Sequence, residues 1–201
     1  MAAELEEVVE LKIEPSSTAL VVIDLQRGIA ASPAAPHDPA EVVARASQIA
    51  EALRAAGGTV VLVRVTSSRD GKDGLRPITD RPPAWAGSGS LPPEWAEIAP
   101  ELKPELADVV ITKRQWGAFH GTELDLQLRR RGIDTIILCG ISTGAGVEST
   151  ARDAYERGYQ QIFVEDAMAA RDADEHNHTV SRLFPRIGRV RSTGQVLAAL
   201  K

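Results

Sequence analysis

Cysteine is nearly absent: Cys139 is the only one in 201 residues. No intramolecular disulfide can form, and the chain suits a reducing compartment. Aromatic residues are scarce at 4%, so a core must be built from aliphatic side chains. Positive charge is not in excess either, because 23 Lys and Arg against 28 Asp and Glu give a net charge of −5. That balance lacks the electrostatic footprint that nucleic acid or an anionic membrane surface recognises. No apolar run approaches the roughly 18 residues of a membrane span. Residues 1–10 are acidic and lack the basic start and apolar stretch of a secretion signal. Neither a nucleic-acid nor a membrane partner is expected, and the chain reads as cytoplasmic.

What is present is an ordinary globular composition, 43% hydrophobic and 25% charged, long enough for one self-sufficient core. Short runs rich in β-branched residues, at 18–23, 59–65, 109–112, 135–139, 161–164 and 187–190, read as strands. Helical faces fall between them. Residues 39–56 place Val42, Val43, Ala46, Ile49, Ala50 and Leu53 on one side and stop at Gly57 and Gly58. Further helices are expected at 122–131, 143–157 and 195–200. Strands alternating with helices predict an α/β fold, a single doubly wound, Rossmann-like three-layer sandwich with a six-stranded parallel sheet. One domain accounts for residues 1–201, with an N-terminal extension at 1–16. The stretch 66–104 carries Pro77, Pro82, Pro83, Pro92, Pro93, Pro100 and Pro104, with Trp85 and Trp95 among them, and reads as an irregular lid or interface arm.

Ligands in such sheets bind beyond the carboxyl ends of the strands. Asp24 ends the first strand, Arg64 and Thr66 the second, Lys113 and Arg114 the third, and the turn from Gly140 to Gly146 follows the fourth. A carboxylate and an ammonium from separate strand ends can pair, while burial pulls the carboxyl toward neutral pH, where it can exchange a proton. By position alone Asp24 reads equally as a turn cap or an ordinary ion-pair partner. The turn Gly140-Ile-Ser-Thr-Gly-Ala-Gly opens a helix whose first N–H groups could hold an oxyanion or carboxylate. It is neither a Gly-Lys-Ser/Thr phosphate loop nor Gly-x-Gly-x-x-Gly, and it also fits a plain βα turn with Ser142 or Thr143 as helix cap.

Three blocks together, LVVIDLQ at 20–26, KRQWGAF at 113–119 and CGISTGAGVESTARDA at 139–154, resemble the isochorismatase-like hydrolase superfamily from about residue 17 to 200. They most resemble a bacterial subgroup in which glycine replaces the nucleophilic cysteine. The resemblance implies a six-stranded parallel sheet and a cis peptide near Ile141–Ser142. It matches Asp24 and Lys113 to the family's catalytic Asp and Lys, and puts the position of the family nucleophile at Gly146. Glycine cannot attack, so thioester amide hydrolysis by that route is excluded. The resemblance also supplies a thiol-free chemistry, because isochorismatases carry glycine there too and cleave a vinyl ether with the Asp as general acid. It makes Gln26, Trp116, Phe119, Ser142, Thr143 and Ala145 candidate substrate-binding residues, and implies a dimer or tetramer acting on a small molecule. The alternatives are a non-catalytic member that binds a metabolite or partner, and an amidohydrolase whose thiol has been replaced.

Other residues carry less. Cys139 ends an apolar strand and reads as a small buried hydrophobe. His37, His120, His176 and His178 show no zinc-ligand spacing, and the Asp-x-His metal motif of nicotinamidases is missing after the second strand. No metal and no cofactor are expected. His176 and His178 read as exposed, and His37 and His120 as loop surface or pocket lining. Phe119 and Trp116 fit core packing as well as a pocket wall. Glu148 and Arg152 are spaced for an i,i+4 ion pair.

Overall fold

Six apolar runs become six parallel strands: β1 (Thr18–Ile23), β2 (Thr59–Val65), β3 (Val109–Lys113), β4 (Thr135–Ile141), β5 (Gln160–Ala169) and β6 (Arg189–Arg191). They lie in the order β3-β2-β1-β4-β5-β6. This computed structural model of the chain describes residues 11–75, 77–80 and 91–201. Every residue of β1 is buried, as expected for a central strand covered on both faces. Its alternate side chains feed two cores. Ala19, Val21 and Ile23 face a layer with Leu124, Leu128, Ala151 and Ala154, whereas Leu20 and Val22 face one with Val42, Ala46, Ile49, Leu53 and Val196.

Among the described residues, seven α-helical segments flank the sheet: α1 (Arg27–Ala30), α2 (Pro39–Ala55), α3 (Leu124–Arg130), α4 (Glu148–Glu156), α5 (Ala173–His178), α6 (Phe184–Ile187) and α7 (Thr193–Ala199). The longest, α2, forms for reasons visible in its residues. The Asp38 carboxylate accepts from the Ala40 N–H at 2.8 Å, Pro39 occupies the first helical position, and the face from Val42 to Leu53 is buried. Gly57, at φ +85°, ends it.

The structure extends or divides several expected elements. β4 continues two residues further, and β5 runs for ten residues instead of four. Its Glu165 and Asp166 hide the second half from an apolar-run criterion. The sixth strand begins at Arg189, because residues 184–187 are helical. The expected helix at 143–157 divides into a π-turn, Thr143–Val147, and α4. Between β5 and β6, α5, a π-turn at Thr179–Leu183 and α6 form a connection whose periodicity no apolar pattern marks.

The arm shows three 3-10 turns, Pro93–Ala96, Pro100–Leu102 and Pro104–Leu106, each with proline in its first turn. Residues 95–102 dock against the segment that follows β1. The Arg27 N–H donates to Glu97 O at 2.8 Å and the Ala99 N–H to Leu25 O at 3.0 Å. The Trp95 ring lies so close to Gly28 that a Cβ there would meet it at 1.9 Å. Residues 1–10 of the N-terminal extension, and Trp85, Pro82 and Pro83 of the arm, lie outside the described residues. Among the described residues no helix is long and apolar enough to cross a membrane.

Candidate active site

A sheet ordered 3-2-1-4-5-6 reverses direction between β1 and β4, and the crevice beyond their carboxyl ends is the place for a ligand. Asp24 emerges there in the left-handed region, at φ +54°, a conformation a non-glycine residue adopts at a modest cost. Its backbone is held in place, since its N–H donates to Val63 O at 3.0 Å and its carbonyl accepts from the Gln26 N–H at 2.8 Å. Lys113, the last residue of β3, reaches across β2 to place Nζ 2.7 Å from Asp24 Oδ2. The Lys113 side chain is wholly buried and that of Asp24 is 7% exposed. Lys113 Nζ also donates to the Trp116 carbonyl.

The pair is asymmetric. Asp24 Oδ2 has its ammonium, whereas Asp24 Oδ1 is buried with no hydrogen-bond partner. Burial pushes the Asp24 carboxyl up from 3.8 to about 6, outweighing the Lys113 charge and hydrogen bond that pull it down. A carboxyl in that range exchanges protons near neutral pH.

Gly146 faces this pair. A Cβ built on it would lie 3.0 Å from Ile23 Cγ2, 3.1 Å from Asp24 Oδ2 and 3.2 Å from Lys113 Nζ. Any side chain at 146 therefore points at the ion pair, yet these separations are tight for even a methyl group, and the neighbours are a core strand and a buried salt bridge. The turn that carries Gly146 starts at a cis Ile141–Ser142 peptide. Its Ala145 and Val147 N–H groups both donate to Ser142 O at 3.2 Å, so these two are not open donors for an anion. Ser142 Oγ is buried beside the Glu175 carboxyl.

A model of the Isochorismatase domain matches residues 18–195. The chain belongs to the isochorismatase family. It is 50% identical over 192 residues to the isochorismatase family protein YwoC of Bacillus subtilis (strain 168), covering 95% of this chain and 98% of the relative. It is 49% identical over 190 residues to the isochorismatase family protein YecD of Escherichia coli O157:H7, covering 94% and 100%. The solved structure of an isochorismatase family protein from Burkholderia thailandensis superposes with a TM-score of 0.88 at 44% identity, covering 94% of this chain and 97% of that one. The all-parallel sheet is thus the fold of an isochorismatase-family hydrolase.

Within this isochorismatase-family chain, the other candidate residues separate by what they touch. Gln26 is fully buried and occupied as a brace. Its Oε1 accepts from the Val65 N–H at 2.8 Å, and its Nε2 donates to Val65 O at 3.1 Å and Trp95 O at 3.2 Å. It anchors the arm to β2. Phe119 belongs to the core, with its ring 5.7 Å from Tyr159 and the Arg157 guanidinium 5.2 Å from its centroid. Trp116 is 65% exposed, so its ring does not wall in Asp24; its contribution to the site is the carbonyl that holds Lys113. Thr143 is buried and its hydroxyl pairs with His176 Nδ1 at 2.9 Å. Cys139 is fully buried in the α2-side core, and burial raises its thiol to about 12, which leaves it inert. Arg64 donates to the Thr112 hydroxyl, Arg114 pairs with Asp73, and the Glu148–Arg152 pair forms at 3.0 Å.

Beside the turn, the structure corrects one sequence expectation and adds a residue that the sequence did not single out. His176 is 2% exposed, not on the surface, because the hydroxyl of Thr143 receives it. Glu175 leans over Gly144, where a Cβ would meet its Oε1 at 2.4 Å, and burial raises its carboxyl. The signal for both lay in Asp172 and Glu175 themselves, an Asp-x-x-Glu helix start whose Asp side chain accepts from the Glu175 N–H at 2.9 Å. Among the described residues, His37, Glu165 and His176 bring metal-ligating atoms together.

Proposed function

We propose that this protein hydrolyses a small organic molecule without a thiol nucleophile, with Asp24 as general acid and base and Lys113 as the group that orients it. The observation that carries this reading is the buried Asp24 carboxyl, paired through Oδ2 and unpartnered at Oδ1, with glycine opposite. Vinyl ether hydrolysis needs no more than this. Protonated Asp24 gives its proton to the terminal vinyl carbon, and the ether oxygen stabilises the resulting oxocarbenium ion. Water adds to the oxygen-bearing carbon of that ion and returns a proton to the Asp24 carboxylate, and the hemiketal collapses to an alcohol and a carbonyl compound. Lys113 keeps the carboxylate in place between the two transfers. The chain acts as a homo-oligomer, a dimer or tetramer.

The test is turnover of isochorismate and other vinyl ethers beside an amide panel that includes nicotinamide and N-carbamoylsarcosine. Vinyl ether turnover is expected. The Asp24→Asn variant should fold and lose on the order of 10²–10⁴ in kcat, the range a positioned proton donor supplies. Turnover that survives this substitution, or that depends on Cys139, contradicts the reading. The enclosure of Asp24 Oδ1 favours a second reading, a metabolite-binding member without turnover. Tight binding with no reaction on either panel would select it.

A further inference from the structure

The proposed reaction leaves two histidines and a glutamate unused. His37 lies in the loop between α1 and α2, directly after the cis-bonded Pro36. Glu165 is on β5, and His176 is on α5. One ligand atom from each lies within 4.8 Å of the other two. The His37 and His176 rings meet edge to face, with centroids 5.7 Å apart and planes at 86°. We propose that His37, Glu165 and His176 form a binding site for one divalent transition-metal ion such as Zn(II), with three protein ligands and one coordination position open to water or another small ligand.

Three features support this arrangement. The first is the donor set: two imidazoles and a carboxylate suit zinc, nickel or copper, whereas magnesium and calcium prefer all-oxygen sites. The second is orientation. The Thr143 hydroxyl engages His176 Nδ1 at 2.9 Å, which leaves Nε2 as the free nitrogen and fixes the ring as second hydrogen bonds fix metal-bound imidazoles.

The third feature is scaffolding. Ala35 and Ala170 exchange both backbone hydrogen bonds, at 2.9 and 2.8 Å, and so tie the His37 loop to the end of β5. Asp172 caps the helix that carries His176. Around a tetrahedral ion with bonds of about 2.1 Å, ligand atoms stand about 3.4 Å apart. Half-buried His37 and Glu165 can close that gap by side-chain rotation while His176 stays fixed. Sequence spacing could not reveal this set, because its members come from three separate segments. The inference does not depend on the reaction assigned to Asp24.

The experiment is calorimetric titration of the full-length protein, stripped with EDTA, by Zn(II) alone. One equivalent should bind per chain. His37→Ala and Glu165→Gln, at half-buried positions that keep the fold, should each weaken binding tenfold or more. His120→Ala and His178→Ala, at exposed positions, should leave it unchanged. No stoichiometric binding, binding that survives His37→Ala and Glu165→Gln, or binding lost with His178→Ala would overturn the proposal.

Discussion

Asp24 and Lys113 hold two opposite charges out of water, and each needs the other. Removing one partner of a buried pair costs about 3–5 kcal/mol, because the remaining charge is left uncompensated. Lys113→Met should show this with a pH signature. Burial already places the Asp24 carboxyl at about 6, above its ordinary 3.8, and without Lys113 it must rise further. A carboxyl raised on folding favours the folded state fully below its unfolded value, and that contribution is lost as pH rises through its folded value. Lys113→Met should therefore be destabilised by about 3–5 kcal/mol at pH 8 in urea unfolding, with the gap narrowing at pH 5. A gap independent of pH would mean that Lys113 acts through packing alone. The sequence placed this pair correctly, because the ends of buried strands in an α/β sheet locate polar residues with little ambiguity. Gln26, Phe119 and Trp116 were not assignable in the same way. Gln26 is determined by Val65 and Trp95, and Phe119 by Tyr159 and Arg157, partners far along the chain.

The elements around the pair are brought together by one close approach. Gly140, at φ +126°, lets β4 pass against β1, where a Cβ would stand 2.1 Å from Ile23 O. The β4–β5 register shifts between Leu138 and Gly140, just before the turn that carries Gly146. Gly140→Ala combines forbidden backbone with a clash into the neighbouring strand, and should destabilise the chain by more than about 3 kcal/mol. Gly57→Ala, at φ +85° with open space around its Cβ, should cost only about 1 kcal/mol. Equal losses in thermal unfolding would remove the close approach as the reason for glycine at 140. Periodicity identified every strand and the long α2, whose apolar face and caps agree. It missed the second half of β5, where Glu165 and Asp166 break the apolar run, and the α5–α6 connection, whose two short helices are separated by a π-turn.

At the scale of the molecule, the strand order 3-2-1-4-5-6 explains why Asp24 and Gly146, far apart in the chain, meet, since β1 and β4 are neighbours at the point where the order reverses. β3 is an edge strand, and exposed Val110 on it, Trp116 after it, and Leu75, Ile78 and Leu106 in the arm leave apolar surface uncovered. In the dimer or tetramer proposed above, association would cover such surface. Light scattering should give two or four times the chain mass of 21.5 kDa, and a monomer would contradict the oligomer.

The central claim is that a buried Asp24, with no thiol, delivers the proton. Its most direct test is the pH dependence of kcat/KM for vinyl ether hydrolysis, which reports the free enzyme's essential acid. A general acid must be protonated, so the rate should fall above an apparent pKa near 6, the value to which burial raises this carboxyl. A profile flat through pH 6, or the same limb persisting in Asp24→Asn, would contradict it.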